Sequence, residues 1–163
     1  MVTPRAVAES VCDPELPVLT LADLGVLRDV AVHGERVVVT VTPTYSGCPA
    51  MDEIRADLVA ALDEAGYHRA EVRTVLSPAW TTDWITDDGR RKLAEYGIAP
   101  PARRGLVRQG PVPLNLTPPS RLVRCPRCDS PNTTELSHFS STACKSLHRC
   151  ADCAEPFEHF KDL

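Results

Sequence analysis

The sequence predicts a mixed α/β (α+β) chain in two unequal parts. A small two-layer sheet-and-helix domain comes first, and a compact C-terminal module held together by cysteines follows. Three observations predict this. Between Val26 and Val75 apolar residues alternate with polar ones, then recur at helical spacing, then alternate again, which is how strands flanking a helix read. Five of the seven cysteines fall after residue 124. Of the fifteen prolines, Pro100, Pro101, Pro111, Pro113, Pro118 and Pro119 crowd between Ile98 and Leu122, the mark of an extended, semi-rigid linker. The expected divisions are 1–97, a proline-rich linker over 98–121, and 122–163.

At 163 residues, 43% hydrophobic and 25% charged, the chain is long enough for one ordinary domain plus a small metal-stapled module. A formal charge of -4 gives no general attraction to nucleic acid or to anionic membrane. No apolar run reaches membrane-spanning length, and Met1-Val2-Thr3-Pro4-Arg5 does not lead into a secretory apolar core. A soluble, cytoplasmic protein is expected, with neither nucleic acid nor membrane among its partners.

Taken in order, residues 5–11 suit a short helix that stops before Asp13-Pro14, because the residue before a proline avoids the helical region. Asp13 to Gly25, with two prolines among acids and apolar residues, reads as an ordered loop. Val26–His33 and Arg36–Thr42 read as strands joined at Gly34-Glu35, the second almost wholly β-branched. Met51, Ile54, Leu58, Ala61, Leu62 and Ala65 then mark one face of a helix, and Gly66 ends it. His68–Val75 alternates as a third strand, so the helix is a crossover packed on one face of a sheet. Trp80 and Trp84 precede a basic helix, Arg90–Tyr96, ended by Gly97. The tryptophans read as core packing, with a docking patch as the competing reading. Arg90, Arg91 and Lys92, with Arg103 and Arg104, read as a solvated face before an acidic partner's target.

Cys48 sits where the second strand hands over to the long helix, in Gly47-Cys48-Pro49. Gly47 opens backbone conformations closed to other residues, and Pro49 suits a first helical turn. Cys48 is therefore expected at or next to the N-cap, where unpaired N–H groups and the helix dipole stabilise a thiolate. Asp52 and Glu53 in the same turn oppose that. The competing reading is a small buried thiol packed under a loop.

Cys125-Pro126-Arg127-Cys128 and Cys150-Ala151-Asp152-Cys153 form two C-x2-C knuckles separated by twenty-one residues. Each knuckle aims two sulfurs at one ion, and two knuckles complete a thiolate tetrahedron, the spacing of a zinc ribbon. With every coordination position filled, the ion is a folding staple, not a reagent. Cys144 has the wrong spacing for either knuckle and reads as a packed thiol. His138, His148 and His159 are unnecessary beside four sulfurs.

Asp13-Pro14-Glu15-Leu16-Pro17 with Asp23-Leu24-Gly25 and the run Thr44–Pro49 resembles the SufT-like family of iron–sulfur assembly domains. Adding Ser77–Ile85, Gly97–Pro101, Ser141-Thr142-Ala143-Cys144-Lys145 and Glu155-Pro156-Phe157, nearly the whole chain resembles the PaaD family. These are D subunits of the phenylacetyl-CoA epoxidase (ring-epoxidase) systems of aerobic phenylacetate catabolism. One departure stands out: family members often carry a cysteine after Phe-Lys, where this chain has Phe160-Lys161-Asp162. The resemblance implies an accessory role, not an enzyme. Its implied partners are a di-iron oxygenase and a reductase with flavin and an iron–sulfur centre, and its implied work is maturation of a metal centre there. Cys48 matches the cysteine that holds a transient iron–sulfur cluster, and Asp13 and Glu15 match the acidic loop beside it. One thiolate cannot hold a cluster alone, so a homodimer or a target protein is expected to supply the rest. Two rivals stand beside this: a structural component docking on the oxygenase through Trp80, Trp84 and the ribbon, and an enzyme using Cys48 as nucleophile. No histidine is tied to Cys48 by a motif, which ranks the enzyme last.

Overall fold

A computed structural model describes residues 2–45, 47–102 and 122–162. The chain divides into two compact units, one running to Tyr96 and the other spanning Gly97–Asp162.

The first unit opens with α1 (Pro4–Ser10), which Thr3 caps by accepting from Ala6 N. Strands β1 (Leu27–His33) and β2 (Arg36–Val41) form an antiparallel hairpin, and β3 (Ala70–Thr74) adds parallel to β2. The crossover between β2 and β3 is α2 (Met51–Glu64). Val37, Val39 and Val41 from β2 are buried, as are Ile54, Leu58 and Leu62 at helical spacing on α2. Val38 is buried as well, so the β-branched run of β2 is covered almost throughout, while α2 buries a single stripe. Tyr67 N closes α2 onto Leu62 O at 2.8 Å, with Gly66 at φ 92°, a left-handed stop that glycine adopts without strain.

The Asp13–Gly25 loop is held from several sides. Asp13 Oδ1 accepts from Glu15 N and Leu16 N, both at 2.9 Å, and Asp13 N donates to Leu19 O at 2.9 Å. Buried Asp23 accepts from Thr20 N at 3.0 Å and from Lys92 Nζ at 2.7 Å. Burial raises the Asp23 pKa, but Lys92 and Thr20 outweigh it and hold the carboxyl below its ordinary value. Trp80 is buried and its Nε1 donates to Leu24 O at 2.9 Å. A Cβ at Gly25 (φ 70°) would stand 2.6 Å from Trp84 Cβ, so no larger residue fits.

Helix α3 (Asp87–Glu95) begins three residues before the expected Arg90, because Thr86 caps it and accepts from Gly89 N at 3.0 Å. Its cations are engaged within the unit: Arg90 donates to Thr82 O, Arg91 pairs with Asp88 and Glu95, and Lys92 pairs with Asp23 and Asp88.

The second unit is a four-stranded sheet in the order β4-β7-β6-β5. Its strands are β4 (Ile98–Ala99), β5 (Thr133–Ser137), β6 (Lys145–Cys150) and β7 (Pro156–Phe160). Ile98 and Ala99, placed in the linker by proline density, are instead a short strand parallel to β7. Residues 103–121 of that expected linker lie outside the described residues. Ala99, Val123, Cys125, Cys150 and Phe157 form a small core. At the end of β6 away from Cys150, buried Lys145 pairs with Glu158 at 2.8 Å, and the Ser140 and Ser141 hydroxyls donate to the same carboxylate. Burial alone would raise the Glu158 pKa, yet Lys145 and the two serines bring it down to about 2.

Candidate metal centre and cysteine site

The second unit brings Cys125, Cys128, Cys150 and Cys153 together, all four sulfurs lying within 4.8 Å of one another. Cys125 and Cys153 sulfurs are 3.7 Å apart, and Cys128 and Cys150 sulfurs 3.6 Å apart. A tetrahedron with metal–sulfur bonds of about 2.3 Å has edges of about 3.8 Å, so the donor set fits a four-thiolate ion in spacing as well as in chemistry. Backbone N–H groups already serve the sulfurs. Those of Cys153 and Asp152 bring the Cys150 thiol down to about 7, against its burial. The Ser130 N–H favours a Cys128 thiolate, but burial and the neighbouring cysteines overcome it and push that thiol up to about 12. Four crowded sulfurs resist sharing negative charge, and a divalent cation relieves that.

Neither Cys144 nor the ribbon histidines join the centre. Cys144 is buried with its sulfur 3.0 Å from Thr142 Oγ1. His148 and His159 are buried and flank the Ser146 hydroxyl at 3.0 and 3.4 Å, and His138 stands beside Glu135.

Cys48 lies in the loop between β2 and α2, half-buried. Its backbone N donates to Tyr45 O at 3.3 Å, and Met51 N donates to its carbonyl at 3.3 Å. The expectation of a position at or next to the N-cap does not hold. Helix α2 starts at Met51 with Ala50 as its cap in a helical conformation, leaving Cys48 a half-turn upstream. The expected thiolate does not hold either. Burial pushes the Cys48 thiol up most, and the Ala50 N–H, donated to the sulfur, opposes this; the charges of Glu15 and Asp13 then push it further up, against a lesser pull from Thr44. The structure therefore gathers Asp13, Glu15 and Cys48, far apart in sequence, and adds Thr44. No periodicity marks Thr44; it opens the Thr44–Pro49 run that carries the family resemblance, but no sequence signal assigns it a role beside the sulfur.

This arrangement sets a protonated thiol among carboxylates. Such a thiol is a slow nucleophile near neutral pH. It is also a place where an incoming cation meets negative charge and replaces the thiol proton. A cavity of about 340 Å³ lined by Val32, Glu35, Val37, Tyr67, His68 and Arg69 lies at the hairpin end of the sheet and shares no residue with this site. Of the tryptophans proposed for docking, Trp80 is buried and Trp84 is half-buried under the Arg28 guanidinium, 3.6 Å from its ring centroid. Among the described residues no helix is long and apolar enough to cross a membrane.

Two family models match the chain: an iron–sulfur cluster assembly protein over residues 5–76 and a PaaD zinc beta ribbon domain over residues 109–161. A protein of Escherichia coli (strain K12), named as the putative D subunit of 1,2-phenylacetyl-CoA epoxidase, is 47% identical over 156 residues, covering 96% of this chain and 89% of that protein. A "Fe-S protein maturation auxiliary factor" of Porphyromonas gingivalis is 31% identical over 86 residues, covering 52% of this chain and 81% of that protein. Among solved structures, a domain of unknown function, DUF59, from Bacillus anthracis matches with a TM-score of 0.51 at 29% identity, covering 55% of this chain and 87% of that one.

Proposed function

The chain belongs to the family of phenylacetyl-CoA epoxidase D subunits, and from that premise we propose that it is an accessory factor of a multicomponent epoxidase in aerobic phenylacetate degradation, not itself a catalyst. It assists maturation of an iron–sulfur or di-iron centre in the oxygenase or reductase component, in the cytoplasm. Cys48 is the transient ligand of an iron–sulfur cluster, and a second copy or the target protein supplies the remaining ligands. Asp13 and Glu15 make its surroundings attractive to a cation. In the second unit, Cys125, Cys128, Cys150 and Cys153 hold a structural zinc.

The observation that carries this reading is the convergence of Asp13, Glu15 and Thr44 on the Cys48 sulfur, within the segment matched by the iron–sulfur assembly model. The test is anaerobic cluster reconstitution of wild type and Cys48→Ser, read by absorbance and metal analysis, with ring epoxidation in cells alongside. Cys48→Ser is expected to keep zinc and fold but to lose the cluster and epoxidation. Full epoxidation with Cys48→Ser would overturn the reading.

A second reading, a structural docking component of the oxygenase complex, draws on Leu122, Leu136 and Phe139, all exposed on the second unit. Stable co-purification with the oxygenase that Cys48→Ser leaves untouched would favour it.

A further inference from the structure

The two knuckles repeat one another. In each, the N–H of the first cysteine donates to the carbonyl five residues on, Cys125 to Ser130 and Cys150 to Glu155, both at 3.0 Å. In each, the residue after the second cysteine is left-handed, Asp129 at φ 58° and Ala154 at φ 61°. The residue before each second cysteine also reaches across to the residue that closes the other knuckle. Arg127 reaches Glu155, with 3.7 Å between Nη2 and Oε1 and both side chains well exposed. Asp152 reaches Ser130, whose hydroxyl donates to Oδ2, while Asn132 Nδ2 donates to Oδ1 at 3.0 Å.

These two clasps are related by the same pseudo-symmetry but are unequal. Ser130 is buried, and its hydroxyl also accepts from Asn132 N at 3.0 Å. Ala151 N donates to Asn132 O at 2.8 Å, so segment 130–132 is bonded to the second knuckle through side chain and backbone together. Hydrogen bonds to a carboxylate are short and strong, whereas a long, exposed ion pair contributes little.

We propose that Asp152 is the positioning residue of the metal centre. Through Ser130 and Asn132 it holds the second pair of sulfurs at the separation the ion requires, and it delays the parting of the knuckles that release demands. The Arg127–Glu155 clasp is its weak counterpart. This rests on the reading that the four cysteines hold zinc.

The full chain tests it, as wild type, Asp152→Ala, Ser130→Ala and Arg127→Ala, each loaded with zinc and competed against a chromophoric chelator. Asp152→Ala is expected to weaken zinc about 10-fold to 100-fold, the range typical of lost groups just outside a metal's ligands. Ser130→Ala should weaken it in the same direction, and Arg127→Ala less than about 3-fold, since exposed pairs matter little. Cobalt substitution should give the same tetrathiolate charge-transfer bands in every variant, because the ligands are unchanged. Asp152→Asn, which keeps one acceptor oxygen, should fall between wild type and Asp152→Ala. If Asp152→Ala does not fold, Ser130→Ala decides, as it deletes a single hydroxyl. Wild-type affinity in Asp152→Ala or Ser130→Ala, or equal losses from Arg127→Ala, would overturn the clasp while leaving zinc in place. A wild-type chain that takes up no zinc would remove the metal reading and the clasp with it.

Discussion

Each unit of this chain places cysteine against backbone N–H groups, yet the two sites differ in what surrounds the sulfur. In the second unit four thiols stand at tetrahedral spacing, with knuckle N–H groups aimed at them. In the first, Cys48 has the Ala50 N–H and Thr44 but faces the carboxylates of Glu15 and Asp13, and its thiol is pushed up. The four-sulfur site is complete within the chain and leaves a metal no open position. Cys48 offers a single sulfur, and one thiolate cannot hold a cluster alone, so on the proposed reading the remaining ligands come from elsewhere. On that reading saturation, more than cysteine reactivity, separates the staple from the site of exchange.

The sharpest way to break that contrast is to remove the metal. Chelation, or Cys150→Ser, is expected to unfold β5 to β7, because a structural zinc contributes on the order of 10 kcal/mol to folding. Amide exchange should then be fast across Lys145–Cys150 and Pro156–Phe160, with β1 to β3 still protected. Cys48→Ser should shift unfolding by less than about 1 kcal/mol, as expected for a small change at a half-buried loop position. If chelation leaves β5 to β7 protected, the ribbon is held by its core alone.

The next effect comes from Glu158. Its pKa falls from 4.5 to about 2 on folding, a shift worth about 3 kcal/mol. Because the folded value is depressed, that stability is fully present above about pH 4.5 and is lost as pH falls toward about 2. The gap between wild type and Glu158→Gln in urea unfolding should therefore be full at neutral pH and narrow below about pH 4.5. A gap that does not change with pH would mean the carboxylate charge is not what Lys145 holds.

Gly25→Ala should cost the first unit about 2 kcal/mol or more, since a side chain at positive φ is strained and this one also meets Trp84. Its unfolding midpoint in urea should drop while zinc affinity stays unchanged. The smallest effect sharpens the contrast most directly. Removing one carboxylate charge with Glu15→Gln should lower the Cys48 thiol pKa and raise its alkylation rate at pH 8 by about two- to three-fold. An unchanged rate would remove the Glu15 charge as a cause and leave burial and Asp13 to raise the thiol.

Much of the fold was legible because single-sequence signals there are strong. The β-branched run on β2, the apolar stripe of α2 and the Gly66 stop each point to one structure on their own, and the paired knuckles specify their own geometry. Other features depended on partners distant in sequence. Ile98–Ala99 is a strand only because β7 offers it an edge, which two residues cannot announce among prolines. Helix α3 reaches back to Asp87 because Thr86 caps it and Asp23 anchors Lys92. Asp152 carries no signal in the C-x2-C spacing; its role depends on Ser130 and Asn132, which only folding brings to it.

By itself the sequence determined the β1–β2 hairpin, the α2 crossover and the third strand, which four cysteines converge, and the likeness of the segment holding Cys48, Asp13 and Glu15 to one kind of domain. These follow from local periodicity, fixed ligand spacing and motif. Only the tertiary structure decided the ionisation of Cys48 and the asymmetry of the two clasps. A pKa and a cross-knuckle bond depend on burial and on charges brought close by folding, and no local stretch of sequence carries that information.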